Sequence, residues 1–307
     1  MPDAFSTTFK NEHKVVMFAG KGGVGKTTCA AATALHYSSL GKRTLVVSTD
    51  PTPSLSHIFE VGRGQKRNKI PENLRVEEIG AGRVKQMWDE KFGREVYEVF
   101  SSFVDIEYWE FVDFVTDVLP GMRDEFMVDY IRELALRNEY EKVVWDTAPL
   151  GQTLGLLTMP AMLGKHLKIA PRIYSRLKLG AESKRSVLDI LKGWEELSAT
   201  DMEFLRSQVD FVIVTIPEAL AIEQLDGIFA EFGKHQLKIG RLVINNVIKD
   251  TSAEFLLTKS KQQREYIDIL QRRYPNLDKM ELPMFPREIK GIDRLQDIRK
   301  NLFSEAG

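Results

Sequence analysis

Cysteine is almost absent from this sequence. Only Cys29 occurs among the 307 residues. A single cysteine excludes an internal disulfide, and the composition fits a reducing compartment. Because Cys29 lies on the helix predicted just after a glycine-rich loop, we expect a small packed residue rather than a reactive thiol.

Long apolar segments and a strong charge bias are also missing. No stretch reaches the length of about 18 apolar residues that a transmembrane helix requires. Residues 1–14 contain no apolar run of the kind found in secretory signals, so we expect a cytoplasmic protein. The chain carries 43 basic and 44 acidic residues, a net charge of −1, and has no overall field that would attract nucleic acid. We therefore expect no nucleic-acid partner.

The most informative segment that is present is Lys14–Thr28, which predicts a buried strand, a glycine-rich turn and the start of a helix. Gly20, Gly25, Lys26 and Thr27 fit the phosphate-binding pattern G-x-x-x-x-G-K-[ST]. Glycines let backbone N–H groups surround a polyphosphate, and the helix N-terminus adds partial positive charge. Lys26 would reach the β- and γ-phosphates, and the Thr27 hydroxyl would bind Mg²⁺. The alternative is a glycine turn that only joins a core strand to a helix.

A second lysine, Lys21, stands directly after Gly20. A lysine at the start of such a loop points away from the γ-phosphate of its own chain. We expect Lys21 to reach a phosphate held by a facing copy of the chain, and a solvated surface lysine is the alternative.

Two acidic residues come directly after predicted buried strands. Asp50 comes after the strand at 43–49, and Asp146 comes after the strand at 140–145. The carboxyl ends of parallel strands face the ligand crevice of an open α/β sheet. Asp146 is placed as the acid that holds Mg²⁺ through water, and Asp50 as the acid of a switch loop. The alternative for Asp50 is a turn or helix-capping residue, and the alternative for Asp146 is a turn at the strand end.

Buried strands alternate with helices along the chain. Further strands are predicted at 74–79, 209–216 and 241–248, and the last brings Asn245 toward its end, where an amide suits adenine recognition. This order predicts an α/β P-loop NTPase fold, with a mostly parallel sheet and helices on both faces. We expect a single ATPase domain over residues 1–307, with a helical subdomain from about 84–138 and 154–206 inserted in it.

The helix-rich stretches leave two questions open. Residues 84–119 are rich in aromatic side chains, which indicate either a helical core or an exposed groove. Residues 154–206 interleave apolar and basic positions, as in a solvated helix pair or in a surface that binds a membrane or a client.

Four motifs in order carry a family resemblance: GKGGVGKTT, STDPTPSLS, DTAPLGQTL, and VTIPEAL followed by VINN. The match extends through PREIKGIDRL and covers nearly the whole chain. The sequence resembles the ArsA-type ATPases, which have a deviant P-loop. Within them it is most similar to the targeting ATPases of the guided-entry pathway for tail-anchored membrane proteins.

The resemblance implies roles for individual residues. Asp50 would orient or deprotonate the attacking water, Lys26 would stabilise charge, and Lys21 would cross a dimer interface to the partner's nucleotide. Asp146 would lie in the second switch near Mg²⁺. The remaining nucleotide contacts would come from the loop, from IPEAL and from VINN: Gly20, Gly22, Gly23, Val24, Gly25, Thr27, Thr28, Glu218 and Asn245.

The sequence also departs from the targeting ATPases. Pro53 and Gln152 stand where those proteins often have histidines, and residues 249–275 lack the C-x-x-C pair that binds zinc across their dimer. We therefore expect no zinc site. The arsenite pump subunit needs several cysteines and has two fused ATPase halves. This chain has one cysteine and one ATPase half.

Together these features predict a Mg²⁺-dependent ATPase that acts as a nucleotide-switched homodimer. It is expected to bind a copy of itself, a hydrophobic helical client that is a tail-anchored membrane protein, and a membrane receptor. A regulatory or partitioning switch of the MinD kind and an ATPase that drives an arsenite pump are the alternatives.

Overall fold

The computed structural model describes residues 13–50, 54–61, 70–101, 105–118, 122–147 and 187–303. The chain divides into two compact units. The sheet unit is drawn from Met1–Ile79, Leu134–Thr153 and Gln208–Gly307, and the helical unit from Gly80–Glu133 and Leu154–Ser207. The single ATPase domain with an inserted subdomain at 84–138 and 154–206 stays a prediction, and residues 154–186 lie outside the described part.

The sheet unit contains seven parallel strands in the order β3-β2-β4-β1-β5-β6-β7. The predicted α/β fold is confirmed. The strands are β1 Val15–Gly20, β2 Thr44–Ser48, β3 Leu74–Glu78, β4 Lys142–Asp146, β5 Val209–Thr215, β6 Ile239–Val247 and β7 Asp278–Pro283.

Helices of the described residues occur between these strands and after the last one. In chain order they are α1 Lys26–Ser39, α2 Leu55–Ile58, α3 Ala81–Trp88, α4 Arg94–Ser101, α5 Tyr108–Asp113, α6 Met122–Leu136, α7 Val187–Gln208, α8 Ala219–Lys234, α9 Glu254–Arg273 and α10 Ile292–Phe303. Single π-helical stretches, Asp89–Gly93 and Phe114–Val118, come after α3 and α5. None of these helices combines the length and the hydropathy that crossing a membrane requires.

The central strand β1 explains why the apolar runs are continuous. It pairs with β4 on one side and β5 on the other, and all six of its residues are buried. A parallel strand covered on both faces carries apolar side chains at every position instead of alternating. The edge strand β3 has only one neighbour, and its burial is mixed, as its alternating sequence predicts.

Helices cover both faces of the sheet. On one face, α1 and α10 pack in a core cluster with alternate strand residues such as Phe18, Val212 and Val214. On the other face, the ring of Phe232 in α8 meets Phe211 edge-on at 5.1 Å. Successive side chains of a strand point to opposite faces of the sheet, so the neighbours Phe211 and Val212 pack in different layers.

The helical unit has its own aromatic core. Trp88 and Phe111 are buried, with ring centroids 6.3 Å apart, and Tyr97 packs against Phe111 at 5.3 Å. The core interpretation of the aromatic stretch is therefore correct for these residues. Two side chains depart from it: Trp109 is 71% exposed and Phe114 is 38% exposed.

Buried charges also join the helices of this unit. Asp129 and Asp201 are both fully buried. Arg132 on α6 donates to Asp201 on α7, with Nε 2.6 Å from Oδ1, and it also pairs with Asp129, which receives a second cation from Lys91. A buried carboxylate is tolerated only where such partners compensate its desolvation.

We predict that Arg132→Ala lowers the free energy of unfolding by about 3 kcal/mol or more, because it leaves Asp201 buried without its cation. Urea unfolding followed by circular dichroism would measure the change. Lys192→Ala is the control, since Lys192 and Glu196 form a wide, exposed pair at 3.9 Å and should contribute little. Equal losses in the two variants would contradict the role of burial.

Candidate nucleotide site

A cavity of about 810 Å³ opens at the carboxyl edge of the sheet. This edge is where ligands bind in open α/β folds. The lining comes from the glycine-rich loop, the residues after β2, the end of β6 and the segment after β7. The lining residues are Gly22, Gly23, Gly25, Lys26, Thr27, Thr28, Asp50, Ser54, His57, Ile58, Asn245, Asn246, Phe285, Pro286, Arg287, Glu288, Ile289 and Ile298.

The glycine-rich loop needs its glycines at both ends. At Gly20, the last residue of β1, a Cβ would lie 2.2 Å from the backbone oxygen of Val214. Gly25 precedes α1 with a φ of 98°, in the left-handed region that favours glycine. The helix begins at Lys26, so its first free N–H groups and its dipole face the cavity.

Lys26 is held against the loop. Its side chain is buried, with the residue only 6% exposed, and Nζ donates to the backbone oxygen of Lys21 at 3.1 Å. Burial lowers the pKa of Lys26, while Asp146 and Asp50 nearby act in the opposite direction. An ammonium in this setting is stabilised further by any anion that enters the cavity.

Asp146 ends β4 and is fully buried. The Thr27 hydroxyl donates to its Oδ2 at 2.9 Å, and the Ser48 hydroxyl donates to the same oxygen at 3.2 Å. Burial raises the pKa of Asp146 to about 6, and the hydrogen bond from Thr27 and the charge of Lys26 oppose that rise. Oδ1 is buried and has no hydrogen-bond partner within the part of the chain that the structure describes.

These oxygens suit Mg²⁺. The hydroxyl of Thr27 and the carboxylate of Asp146 are hard oxygen ligands of the kind that Mg²⁺ prefers. No cluster of three His, Cys, Asp or Glu residues that could hold a metal occurs in the described ranges. An ion here would therefore complete its shell with water and phosphate, as Mg²⁺ usually does.

Asp50 lies two residues after the end of β2. It lines the cavity and is partly buried, and its backbone N–H donates to the Ser48 hydroxyl at 3.3 Å. Ser48 therefore contacts both Asp50 and Asp146. Sequence reasoning missed Ser48, although its position at the end of a strand that leads to a switch acid was a usable signal.

The structure brings most of the predicted loop residues together but leaves some outside the cavity. Gly20 and Val24 are buried and Lys21 is exposed, and none of the three is among the described residues that line the cavity. Glu218 is exposed at the N-terminus of α8 and is not among the described residues that line the cavity. Asn245 is 8% exposed and donates from Nδ2 to the backbone oxygen of Val24 at 2.8 Å.

Other lining residues were not predicted as site residues. Ser54 lies 3.4 Å from the Thr27 hydroxyl, and His57 pairs with Glu288 at 3.6 Å. Residues 286–289 belong to the C-terminal motif of the resemblance, and that match was the only signal for them. Pro53 and Gln152, together with most of the predicted second switch, lie outside the described residues.

Comparisons with known proteins agree with this geometry. The sequence model of a family described as "Anion-transporting ATPase", the ArsA ATPase family, matches residues 13–304. That match spans almost the whole chain, including every strand of the sheet and the complete glycine-rich loop.

Individual relatives carry two kinds of name. A protein of Aquifex aeolicus named "putative arsenical pump-driving ATPase 2" is 29% identical over 300 residues, which cover 94% of this chain and 99% of the relative. ATPase GET3B of Arabidopsis thaliana is 30% identical, with coverage of 93% and 77%. ATPase get3 of Schizosaccharomyces pombe is 24% identical, with coverage of 94% and 91%.

The glycine-rich loop, the acids that follow β2 and end β4, and the family match along residues 13–304 lead to one assignment. The chain is an ATPase that belongs to the ArsA family of anion-transporting ATPases.

Proposed function

We propose that this ATPase uses ATP and Mg²⁺ to switch a homodimer that captures a hydrophobic helical client in the cytoplasm. The client class is a tail-anchored membrane protein, which the dimer would deliver to a membrane receptor. The observation that carries the nucleotide part is a hydrogen bond from the Thr27 hydroxyl to the Asp146 carboxylate. Thr27 lines the cavity together with Asp50, and Asp146 is fully buried behind Thr27. The resemblance to the guided-entry ATPases supports the client part.

The loop residues that line the cavity would hold the phosphates. Backbone N–H groups of the loop and of the first turn of α1, with the ammonium of Lys26, match the charge of a triphosphate. Thr27 and Asp146 would hold Mg²⁺, the latter through water. Bound Mg²⁺ would neutralise charge on the transferring phosphoryl group.

Hydrolysis needs a water in line with the γ-phosphate. Asp50 would orient that water and accept its proton as the new P–O bond forms, while the bond to the β-phosphate oxygen breaks and ADP leaves. Lys26 would stabilise the charge on the equatorial oxygens. The partly buried position of Asp50 at the cavity wall supports this role.

We predict that Asp50→Asn lowers ATP turnover by at least about 100-fold, because an amide cannot accept the proton. ATP binding should persist. Phosphate release and equilibrium titration with ATP would measure the two quantities, with Asp293→Asn on an exposed turn of α10 as the matched control. Normal turnover in Asp50→Asn would remove Asp50 from its role.

Lys21 is proposed to act on the partner's nucleotide. It is exposed, it is not among the described residues that line the cavity, and it meets Lys26 only through its backbone oxygen. A lysine so placed would contribute its charge to a second copy that faces the loop. A two-fold arrangement would then give each site one lysine from each chain.

This arrangement predicts rescue between two inactive variants. An equal mixture of Lys21→Ala and Asp50→Asn should recover about a quarter of the unaltered turnover, because half of the dimers are mixed and each mixed dimer has one complete site. A mixture of Lys26→Ala and Asp50→Asn should recover nothing, since no pairing completes a site. Failure of the first mixture would show that Lys21 acts within its own chain.

The switch would depend on the γ-phosphate. Segments 50–56 and 146–153 begin at Asp50 and Asp146, the two acids that Ser48 contacts. A γ-phosphate would hold both segments, and its loss would let them relax, as in other nucleotide switches. That motion would reach the helical unit and change its hold on a client.

The exposed aromatic side chains of the helical unit support client binding. Trp109 and Phe114 are 71% and 38% exposed, whereas their neighbours Phe111 and Val112 are buried. Large exposed aromatic residues are typical of surfaces that bind apolar partners. They would contact the helix of the client when two chains close.

We predict that Asp50→Asn, co-expressed with a tail-anchored segment and purified with ATP and Mg²⁺, retains that segment in stoichiometric amount. Adding Trp109→Ser and Phe114→Ser should reduce capture about tenfold, because two apolar contacts are lost. Leu136→Ser, at a residue that is 68% exposed in the sheet unit, is the control. Absence of any captured segment would contradict the proposed client.

Two alternatives would use the same ATPase differently. An ATP-dependent dimer that captures no apolar helix would favour a switch of the MinD kind. The names of some relatives favour a pump-driving role, but Cys29 is fully buried and burial raises its pKa to about 12, so it cannot serve as an exposed thiolate ligand for a metalloid.

A further inference from the structure

The strand β6 contains a bulge next to the cavity. Ile244 pairs with Glu281 and Val247 pairs with Pro283. The two pairs are therefore three residues apart in β6 but only two residues apart in β7. Asn246 has a φ of 58°, the left-handed conformation that asparagine tolerates better than most residues. Bulges of this kind re-aim side chains beside active sites. Here the side chain concerned is that of Asn245.

Asn245 reaches across to the glycine-rich loop. Its Nδ2 donates to the backbone oxygen of Val24 at 2.8 Å, and because a carbonyl oxygen can only accept, the amide nitrogen must face the loop. The contact is close: a Cβ on Gly25 would lie 2.4 Å from the same nitrogen. The Asn245 amide in this position therefore excludes a side chain at position 25.

This hydrogen bond fixes one peptide unit of the loop. The peptide that joins Val24 to Gly25 is planar and trans, so its N–H points opposite to its carbonyl. When Asn245 holds the Val24 oxygen, the Gly25 N–H is directed away from Asn245 and cannot rotate. Such fixed N–H groups are what a phosphate-binding loop offers to its ligand.

Helix α9 holds the bulge in place. The side chain of Gln263 accepts from the Ile248 N–H at 2.8 Å and donates to the Asn246 oxygen at 3.0 Å. Gln263 is not among the described residues that line the cavity. It therefore secures the backbone on both sides of Val247 and, through that backbone, the direction of Asn245.

We propose that Asn245 is a positioning residue of the phosphate-binding loop, supported by Gln263, and that its contribution to ligand affinity is made through the phosphates. The inference rests on the proposed binding of nucleotide at this loop. It differs from recognition of adenine by Asn245, because a ligand without any base should depend on Asn245 as strongly as ATP does.

The test compares ATP, GTP and inorganic tripolyphosphate in the presence of Mg²⁺. Their affinities would be measured by displacement of a fluorescent ATP analogue from the full chain. Asn245→Asp replaces the donor by an acceptor of the same shape, and Asn245→Ala removes the group. Asn301→Asp is the matched control, because the exposed Asn301 amide likewise donates to a backbone oxygen, that of Asp297 at 2.9 Å, on α10.

Both variants at position 245 should bind all three ligands about tenfold more weakly, the effect of one lost hydrogen bond at the site. The ratio of ATP to GTP affinity should not change, and Asn301→Asp should match the unaltered chain. An unchanged affinity for tripolyphosphate, with weaker binding of ATP alone, would overturn the proposal in favour of a base contact. Unchanged affinities for all three would also overturn it.

A second variant tests the proposal without a substitution at position 245, in case the Asn245 variants misfold. Gln263→Leu lies outside the cavity and should weaken the three ligands by a common, smaller factor, with its circular dichroism spectrum unaltered. No effect of Gln263→Leu would remove Gln263 from the proposal. An unaltered chain that bound neither ATP nor tripolyphosphate would overturn the proposed function itself, a result distinct from any difference among variants.

Discussion

The site depends on one hydrogen bond, from the Thr27 hydroxyl to the Asp146 carboxylate at 2.9 Å. It links the first turn of α1 to the end of β4, two elements that are 119 positions apart in sequence. The parallel register makes the contact possible, because Asp146 lies beside Phe18 of β1 and Ser48 of β2. A shift of one residue in either pairing would turn the carboxylate to the other face of the sheet.

Much of this arrangement could be predicted from the sequence. The apolar runs of β1, β2, β4, β5 and β6 are long enough to read as buried parallel strands, and the glycine-rich pattern predicts the loop and the helix after β1. Contacts between distant strands could not be predicted in the same way. The contacts of Ser48 with two acids and the bulge that aims Asn245 depend on register, which a single sequence does not encode locally.

The sequence shared with the relatives is not confined to one unit. Relatives named for arsenical pumps and relatives named as GET3 ATPases match more than nine tenths of the chain, which includes most of both units. The candidate nucleotide site lies in the sheet unit. The proposed choice of partner would be set in the helical unit, where a mostly buried aromatic core leaves Trp109 and Phe114 exposed.

Thr27 and Asp146 are proposed to form the Mg²⁺ side of a nucleotide site. This role can be tested by measuring the affinity for ATP with and without Mg²⁺, in the unaltered chain and in Thr27→Val, which keeps the shape of the side chain and removes its hydroxyl. We expect Mg²⁺ to strengthen ATP binding in the unaltered chain and to lose most of that effect in Thr27→Val. An equal effect of Mg²⁺ in both proteins would contradict the proposed role.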